Sequence, residues 1–351
     1  MGKYKTGISK RGGGTKKTPA RILPDVRPSD VIAIACSDIH LSERAPTARN
    51  AEPDWFAAME RPLFEMMQVW AELERPPILI AGDIFHKPEP PPALISFALR
   101  MFPKPAQEMS TDGDYVIAIP GQHDLPFHSM KDIEKTAFHI LEMTETIRRP
   151  DSYTYAYQPI GRKGPSVVVY GFPWGTAAEP LRRHDENEHK YIALVHAYCW
   201  REGHSHPGAR EEDHVDSWRE RLAGYDLAIF GDNHAGFLDS PSGKMPILNC
   251  GGFMRRRIDE INYQPRFWLI YSDFSIESYP LDCSADKFIN PEKLAKTLCS
   301  EDLDLTEFAR ELARAADKKL DFVAALKRVM TDEKIDERVM KLILSTIAEK
   351  K

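Results

Sequence analysis

The sequence contains no CxxC pair, and its five cysteines, Cys36, Cys199, Cys250, Cys283 and Cys299, are odd in number and widely spaced. A disulfide framework and a cysteine zinc site are thereby excluded, leaving ordinary buried or half-buried thiols. No stretch approaches the roughly 18 uninterrupted apolar residues of a membrane helix. The N-terminus lacks the apolar centre of a secretory signal, so the expected location is cytoplasmic, without membrane association. Acids are missing from the start of the chain: Lys3, Lys5, Lys10, Arg11, Lys16, Lys17 and Arg21 all precede Asp25. That basic Gly/Ser/Thr-rich stretch, residues 1–28, is expected to be a disordered arm able to neutralise nucleic-acid phosphates, with Lys16 and Lys17 as candidate contacts. A solubilising tail is the plain alternative. No repeat of fixed period is apparent.

What is present is the balance of a soluble globular protein, 42% hydrophobic and 28% charged over 351 residues, enough for one large α/β core with a small appended module. Short β-rich apolar runs predict buried strands at Val31 to Cys36, Ile78 to Ala81, Tyr115 to Ile119, Val167 to Tyr170, Tyr191 to Val195, Asp226 to Phe230 and Phe267 to Tyr271. Trp55 to Leu73 and Pro92 to Met101 have helical patterns between the first three, which predicts crossover connections. Pro150, Pro159 and Pro165 bracket an expected antiparallel excursion around Ser152 to Tyr157. Beyond Asp282 the apolar spacing turns helical, as in Ile335, Val339, Leu342 and Ile343. The expected organisation is therefore an arm over 1–28, a main domain over 29–282 and a helical module over 283–351.

Polar residues of metal-ligating type follow apolar strands in five places. SDIH supplies Asp38 and His40, GDIFH supplies Asp83, and PGQHD supplies Gln122, His123 and Asp124. His196 follows the fifth run, and GDNH after the sixth supplies Asp232 and His234. Sites in open α/β sheets form beyond the carboxyl ends of strands, so these residues are expected to converge. Carboxylate, imidazole and amide donors without thiolate suit manganese, iron or zinc in an expanded coordination shell. Two cations are the economical reading, with Asp83 as the expected shared ligand.

In order, these motifs resemble the calcineurin-like metallophosphoesterases, whose pattern is DxH, GDxx, GNHD, His and GHxH; the resemblance covers about residues 31–282. It implies a β-sandwich flanked by helices (α/β/β/α) and a two-metal phosphoesterase. Asp38, His40, Asp83 and His234 would surround one cation, and Asp83, Gln122, His196 and Asp232 the other. His123 would stay off the metals and assist the leaving oxygen, with Asp124 orienting its ring, while the metals would activate a bound water. GDIFHKPEP with PGQHDLP looks most like the DNA-repair exonuclease branch of SbcD type. That finer resemblance implies manganese, a DNA substrate and an SMC-like ATPase docked through the C-terminal helices; a homodimer is also considered.

Two positions depart from the pattern: Gln122 stands where the family has Asn, and Asp232 where it has the first His of GHxH. A second GHxH, spelled GHSH at Gly203 to His206, follows polar residues and is expected to be a solvated loop. His86 and His128 are expected to be structural, and His184, His189 and His214 exposed. Arg255, Arg256 and Arg257 could meet phosphates. Trp200 is expected to line the core or cleft rather than stack a base. The competing functions are a small-substrate phosphatase or cyclic-nucleotide phosphodiesterase, and a catalytically weakened scaffold.

Overall fold

A computed structural model of the chain describes residues 30–102, 116–150, 155–157, 166–182, 189–206 and 208–290. The proposed arm, with Lys16 and Lys17, lies outside them, as do His184 and residues 291–351 of the proposed helical module.

The elements run β1 (Val31–Cys36), α1 (Trp55–Glu72), β2 (Ile78–Ile80), α2 (Pro92–Met101), β3 (Val116–Ala118), α3 (Ala137–Met143), β4 (Ile147–Arg148), β5 (Tyr155–Tyr157), β6 (Val167–Phe172), β7 (Lys190–His196), α4 (Val215–Arg221), β8 (Leu227–Gly231), β9 (Phe237–Asp239), β10 (Ile247–Asn249), β11 (Arg266–Tyr271) and β12 (Ile276–Pro280). They form two six-stranded sheets, ordered β12-β11-β1-β2-β3-β4 and β5-β6-β7-β8-β10-β9. β1, β2, β3 and β4 are mutually parallel, as are β6, β7, β8 and β10, so each sheet presents several strand carboxyl ends at one edge.

Alternation of side chains along the strands divides the core into three layers. Ile32, Leu79, Ile117, Leu194 and Ile229 pack between the sheets. Ile34, Ile78, Ile80 and Val116 face α1, α2 and α3, while Ala193, Val195, Ala228 and Phe230 face α4. Ile32 and Ala33 both enter the middle layer because the register of β1 against β11 shifts between Val31 and Ala33. In α1, Asp54 caps the first turn by accepting from Ala57 N–H at 3.1 Å, and Trp55, Met59, Leu63, Met66 and Trp70 form its buried stripe. The layers are thus α/β/β/α, as the resemblance implied.

Two structural findings refine the sequence-based organisation. α3 and α4, seven residues each, are too short to display a clear apolar period, and β4, β9 and β10 have only two or three residues. The main body also continues past Asp282. Asp286 accepts from Arg49, Arg61 and Arg255, and Ile289 N–H donates to Ala48 O at 2.9 Å. Arg49, 2% exposed, lies between Asp286 and Glu52 with its guanidinium near the rings of Trp55 and Phe288.

The middle layer bears most directly on the positions of the strand ends. Leu194→Ala, at a fully buried inter-sheet position, is expected to cost about 2–5 kcal/mol, measured by urea unfolding at constant m-value. A cost below about 0.5 kcal/mol, the scale of an ordinary surface change, would contradict this packing.

Candidate active site

The strand ends deliver their ligand-type residues in an uncommon backbone conformation. Asp38, His40, Asp83 and Asp232 have φ of 52°, 49°, 54° and 84°, the left-handed region that costs non-glycine residues energy. Neighbouring backbone restrains them: Asp38 N–H donates to Gly82 O at 3.1 Å and His40 N–H to Asp83 O at 2.9 Å. Two glycines permit the close approach. A Cβ at Gly82 would lie 2.1 Å from His196 Nδ1, and one at Gly121 would lie 2.1 Å from Asp83 Oδ1.

Asp38, His40 and His234 bring one donor atom each within 4.8 Å of one another. His40 Nε2 and His234 Nε2 are 3.2 Å apart, close to the roughly 3 Å expected for two nitrogens at right angles on one cation about 2.1 Å from each. His234 Nδ1 faces Glu260 Oε1 at 3.4 Å, an arrangement in which a protonated Nδ1 donates and Nε2 is left for the cluster.

The second cluster joins Asp38, Asp83 and His196, all buried. His196 Nδ1 faces Ala81 O at 2.5 Å and Nε2 lies 2.6 Å from Gln122 Oε1, so each ring nitrogen faces an oxygen acceptor. Gln122 Nε2 donates to Asp232 Oδ1 at 2.6 Å. The two residues that depart from the family pattern therefore hydrogen-bond to each other.

Asp38 belongs to both clusters, and Asp83, a member of the second, also reaches toward His40 of the first. Asp83 Oδ1 accepts from His123 N–H at 2.9 Å, whereas its buried Oδ2 has no hydrogen-bond partner and lies 3.7 Å from His40 Nε2 and 3.6 Å from His196 Nε2. Burial pushes Asp38 up to about 6, against the charges of His234 and His196. For Asp83 burial acts upward too, but His196 and His40 outweigh it and hold the carboxyl well below the usual range. Conversely, Asp83 raises His196 to about 10 despite the opposing effect of burial. This carboxylate-rich pocket demands positive charge, and its orphaned oxygen and converging imidazoles fit divalent cations.

His123 also faces this region. Its Nδ1 lies 3.1 Å from His86 O, and its ring stacks on His86 with centroids 5.0 Å apart and planes at 18°. Asp124, expected to orient that ring, does not: its carboxylate accepts from the backbone N–H groups of Ile84, Phe85 and Gly121 at 3.2, 2.8 and 3.0 Å. Three convergent amides capture it, so Asp124 ties the second motif to the third, and the His86 carbonyl sets His123. His86 itself groups with His40 and His123 within 4.8 Å, and its buried Nδ1 has no partner.

Residues 33–236, more than half of the chain, match the family model described as calcineurin-like phosphoesterase. The chain belongs to this family. Membership implies metal-dependent phosphoester hydrolysis. No curated protein sequence matches the chain significantly. Among solved structures it is similar to a Staphylococcus aureus protein assigned as a 5′-nucleotidase, at 11% identity and a TM-score of 0.41, covering 75% of this chain and 56% of that one. It is also similar to phosphopantetheinyl hydrolase from Mycobacterium tuberculosis, at 10% identity and TM-score 0.37, over 74% of this chain and all of that one. The zinc complex of Vps29 from Entamoeba histolytica is similar at 15% identity and TM-score 0.31, over 73% and 96%.

Within this calcineurin-like chain, other sequence expectations change. Arg256 is buried and donates to His40 O and Ser42 Oγ; Arg255 is committed to Asp286, Ile261 O and Cys283 O. Neither is therefore a free phosphate contact, because internal acceptors occupy its guanidinium. Arg257 is exposed and paired with Asp259 at 2.5 Å. The GHSH loop is not simply solvated: His204 and His206 line the cleft, next to Phe237 and Tyr198, without joining the clusters. His128 is exposed, whereas His189 and His214 are half-buried, His214 lying 3.4 Å from Glu202 and against the Trp200 ring. Trp200 donates to Arg210 O.

Sequence reading missed Glu260, whose Oε2 also accepts from Arg256 N–H at 2.6 Å and Arg257 N–H at 3.0 Å. Its place after an irregular loop offered no strand-end signal. Glu260→Ala is expected to weaken Mn²⁺ binding at the Asp38–His40–His234 cluster by about 10–100-fold, measured calorimetrically. Wild-type affinity in a folded Glu260→Ala protein would refute that supporting role.

Proposed function

We propose that the chain is a divalent-cation-dependent phosphodiesterase acting on nucleic acid, with DNA as substrate and exonucleolytic cleavage as its mode. The observation carrying the reading is the buried Asp83 Oδ2, 3.7 and 3.6 Å from imidazole nitrogens of the two clusters, where one oxygen can serve two cations. Asp38, His40 and His234 would hold the first with Asp83; Gln122, His196 and Asp232 would hold the second with it. Bound as a pair, such cations supply Lewis acidity toward phosphoryl oxygens and an activated water. The chain's own contribution is His123. With Nδ1–H directed at His86 O, its Nε2 is the atom available to hold or give a proton at the leaving oxygen.

The surroundings favour a substrate that carries bases. The cleft, about 1970 Å³, is lined by exposed Arg44 and Lys87, by Glu43 and Glu89 close to them, and by half-buried Trp174, whose ring centroid is 6.3 Å from that of His196. Trp55, Trp70, Trp200, Trp218 and Trp268 donate their indole N–H groups to backbone carbonyls. Among the described residues Trp174 has no such bond, which suits a cleft tryptophan that stacks a base. The SbcD-type resemblance adds to the proposal manganese and an SMC-like ATPase partner, and a homodimer is a separate part of it; nearly all of the proposed docking module lies outside the described residues.

The test is Mn²⁺-dependent hydrolysis of single- and double-stranded DNA and of bis(p-nitrophenyl) phosphate by the full chain. Cleavage of DNA is the expected result. Cleavage of the small diester alone would favour a small-substrate enzyme, and no hydrolysis with any divalent metal would favour the scaffold.

A further inference from the structure

We infer that the two cation sites differ in chemical hardness: the second, built on Gln122 and Asp232, favours a hard cation such as manganese or magnesium, while the first accepts zinc more readily. This rests on the two-cation reading above and adds a selectivity that family membership does not supply. The donor sets are the reason. The first cluster presents two imidazole nitrogens, His40 Nε2 and His234 Nε2, with the Asp38 carboxylate and Asp83 nearby. The second presents one, His196 Nε2, beside the oxygens of Gln122 and Asp83 and grouped with the Asp38 carboxylate, while Asp232 adjoins through its hydrogen bond with Gln122. Imidazole suits zinc and iron, whereas carboxylate and carbonyl oxygens suit magnesium and manganese.

The Gln122–Asp232 hydrogen bond makes this composition specific. An amide side chain can present oxygen or nitrogen to a neighbour. Here Asp232 Oδ1 accepts from Gln122 Nε2 at 2.6 Å, which turns Gln122 Oε1 toward His196 Nε2, also at 2.6 Å. Asp232 is itself restrained, its N–H donating to Asp38 Oδ2 at 3.1 Å. The two departures from the family motif thus act as one device: a carboxylate replaces a nitrogen donor, and the same carboxylate orients the amide oxygen. A histidine at 232 would supply a softer donor and lose that acceptor.

The full-length protein, freed of metal by chelation, would be loaded with Mn²⁺ alone and its stoichiometry measured. Zn²⁺ would then be titrated at fixed free Mn²⁺, with released aqueous Mn²⁺ followed by electron paramagnetic resonance. The expected wild-type result is two bound Mn²⁺ and two-step displacement, the steps separated by at least about tenfold in Zn²⁺, the scale on which ligand surroundings alter metal affinity. Gln122→Asn/Asp232→His should merge the steps by making the second site more receptive to zinc. Asp232→Asn, which keeps an oxygen acceptor for Gln122 and removes the charge, should narrow the gap even if the double variant fails to fold. Single-step displacement in wild type, or an unchanged gap in folded Asp232→Asn, would overturn the inference while leaving two cations in place. Binding of only one Mn²⁺ would overturn both, and the initial stoichiometry distinguishes these outcomes.

Discussion

Asp83→Asn is expected to reduce hydrolysis at least about a thousandfold and to lower cation occupancy at both clusters. The magnitude follows from losing several kcal/mol of metal-supplied charge stabilisation, at 1.36 kcal/mol per factor of ten. Asparagine can still accept His123 N–H through Oδ1, but it replaces the orphaned carboxylate oxygen between His40 and His196. The loss should therefore appear as missing cation without a missing fold. In wild type, Mn²⁺ at a hundred times its dissociation constant should stabilise by about 2.7 kcal/mol, raising Tm by about 5–11 °C for a domain of this size. Asp83→Asn should lose most of that rise while matching wild type in chelator. Elemental analysis and thermal melts with and without Mn²⁺ check both parts. A variant retaining two cations and wild-type turnover would remove Asp83 from the centre.

His123→Ala should behave oppositely, losing about 10²–10⁴-fold in kcat while retaining both cations and their effect on Tm. The backbone amide that serves Asp83 is unaffected, and the lost ring is directed by His86 O. Asp124→Asn separates chemistry from architecture in the same loop. It places an amide NH₂ among three backbone donors, so lower stability is expected, with a smaller loss of kcat than in His123→Ala. Steady-state kinetics on a phosphodiester with parallel metal analysis tests the pair; equal kcat losses with unchanged stability would restore the direct Asp124–His123 relationship.

The difference between these two neighbours shows where sequence reading succeeds. Asp38, Asp83, His196 and His234 were legible because each follows a strand long enough or apolar enough to reveal itself, and parallel strands bring their carboxyl ends together. His123 was legible by type and position. The support for its ring was not, because it is the His86 backbone carbonyl, an atom that every residue possesses. Asp124 looked like a partner through sequence adjacency, but a carboxylate three residues after Gly121 reaches the amides of its own turn more easily. Arg256 appeared as one of three exposed-looking arginines, and only packing reveals that its guanidinium is consumed by His40 O and Ser42 Oγ. Gln122 and Asp232 could be recognised as departures, yet their mutual hydrogen bond joins positions 110 residues apart and has no local signature.

The clasp around Arg49 gives the proposed domain boundary a physical consequence. A polypeptide ending at Asp282 would keep every residue of both ligand clusters but lose Asp286, one of two carboxylates neutralising a guanidinium that is 2% exposed. It would also deprive Arg255, next in sequence to the arginine gripping His40 O, of two of its acceptors, Asp286 and Cys283 O, leaving Ile261 O. A minimal catalytic fragment therefore has to be cut by electrostatics rather than by motif: the last eight described residues, 283–290, belong to the foundations of the metal pocket although none of them reaches it.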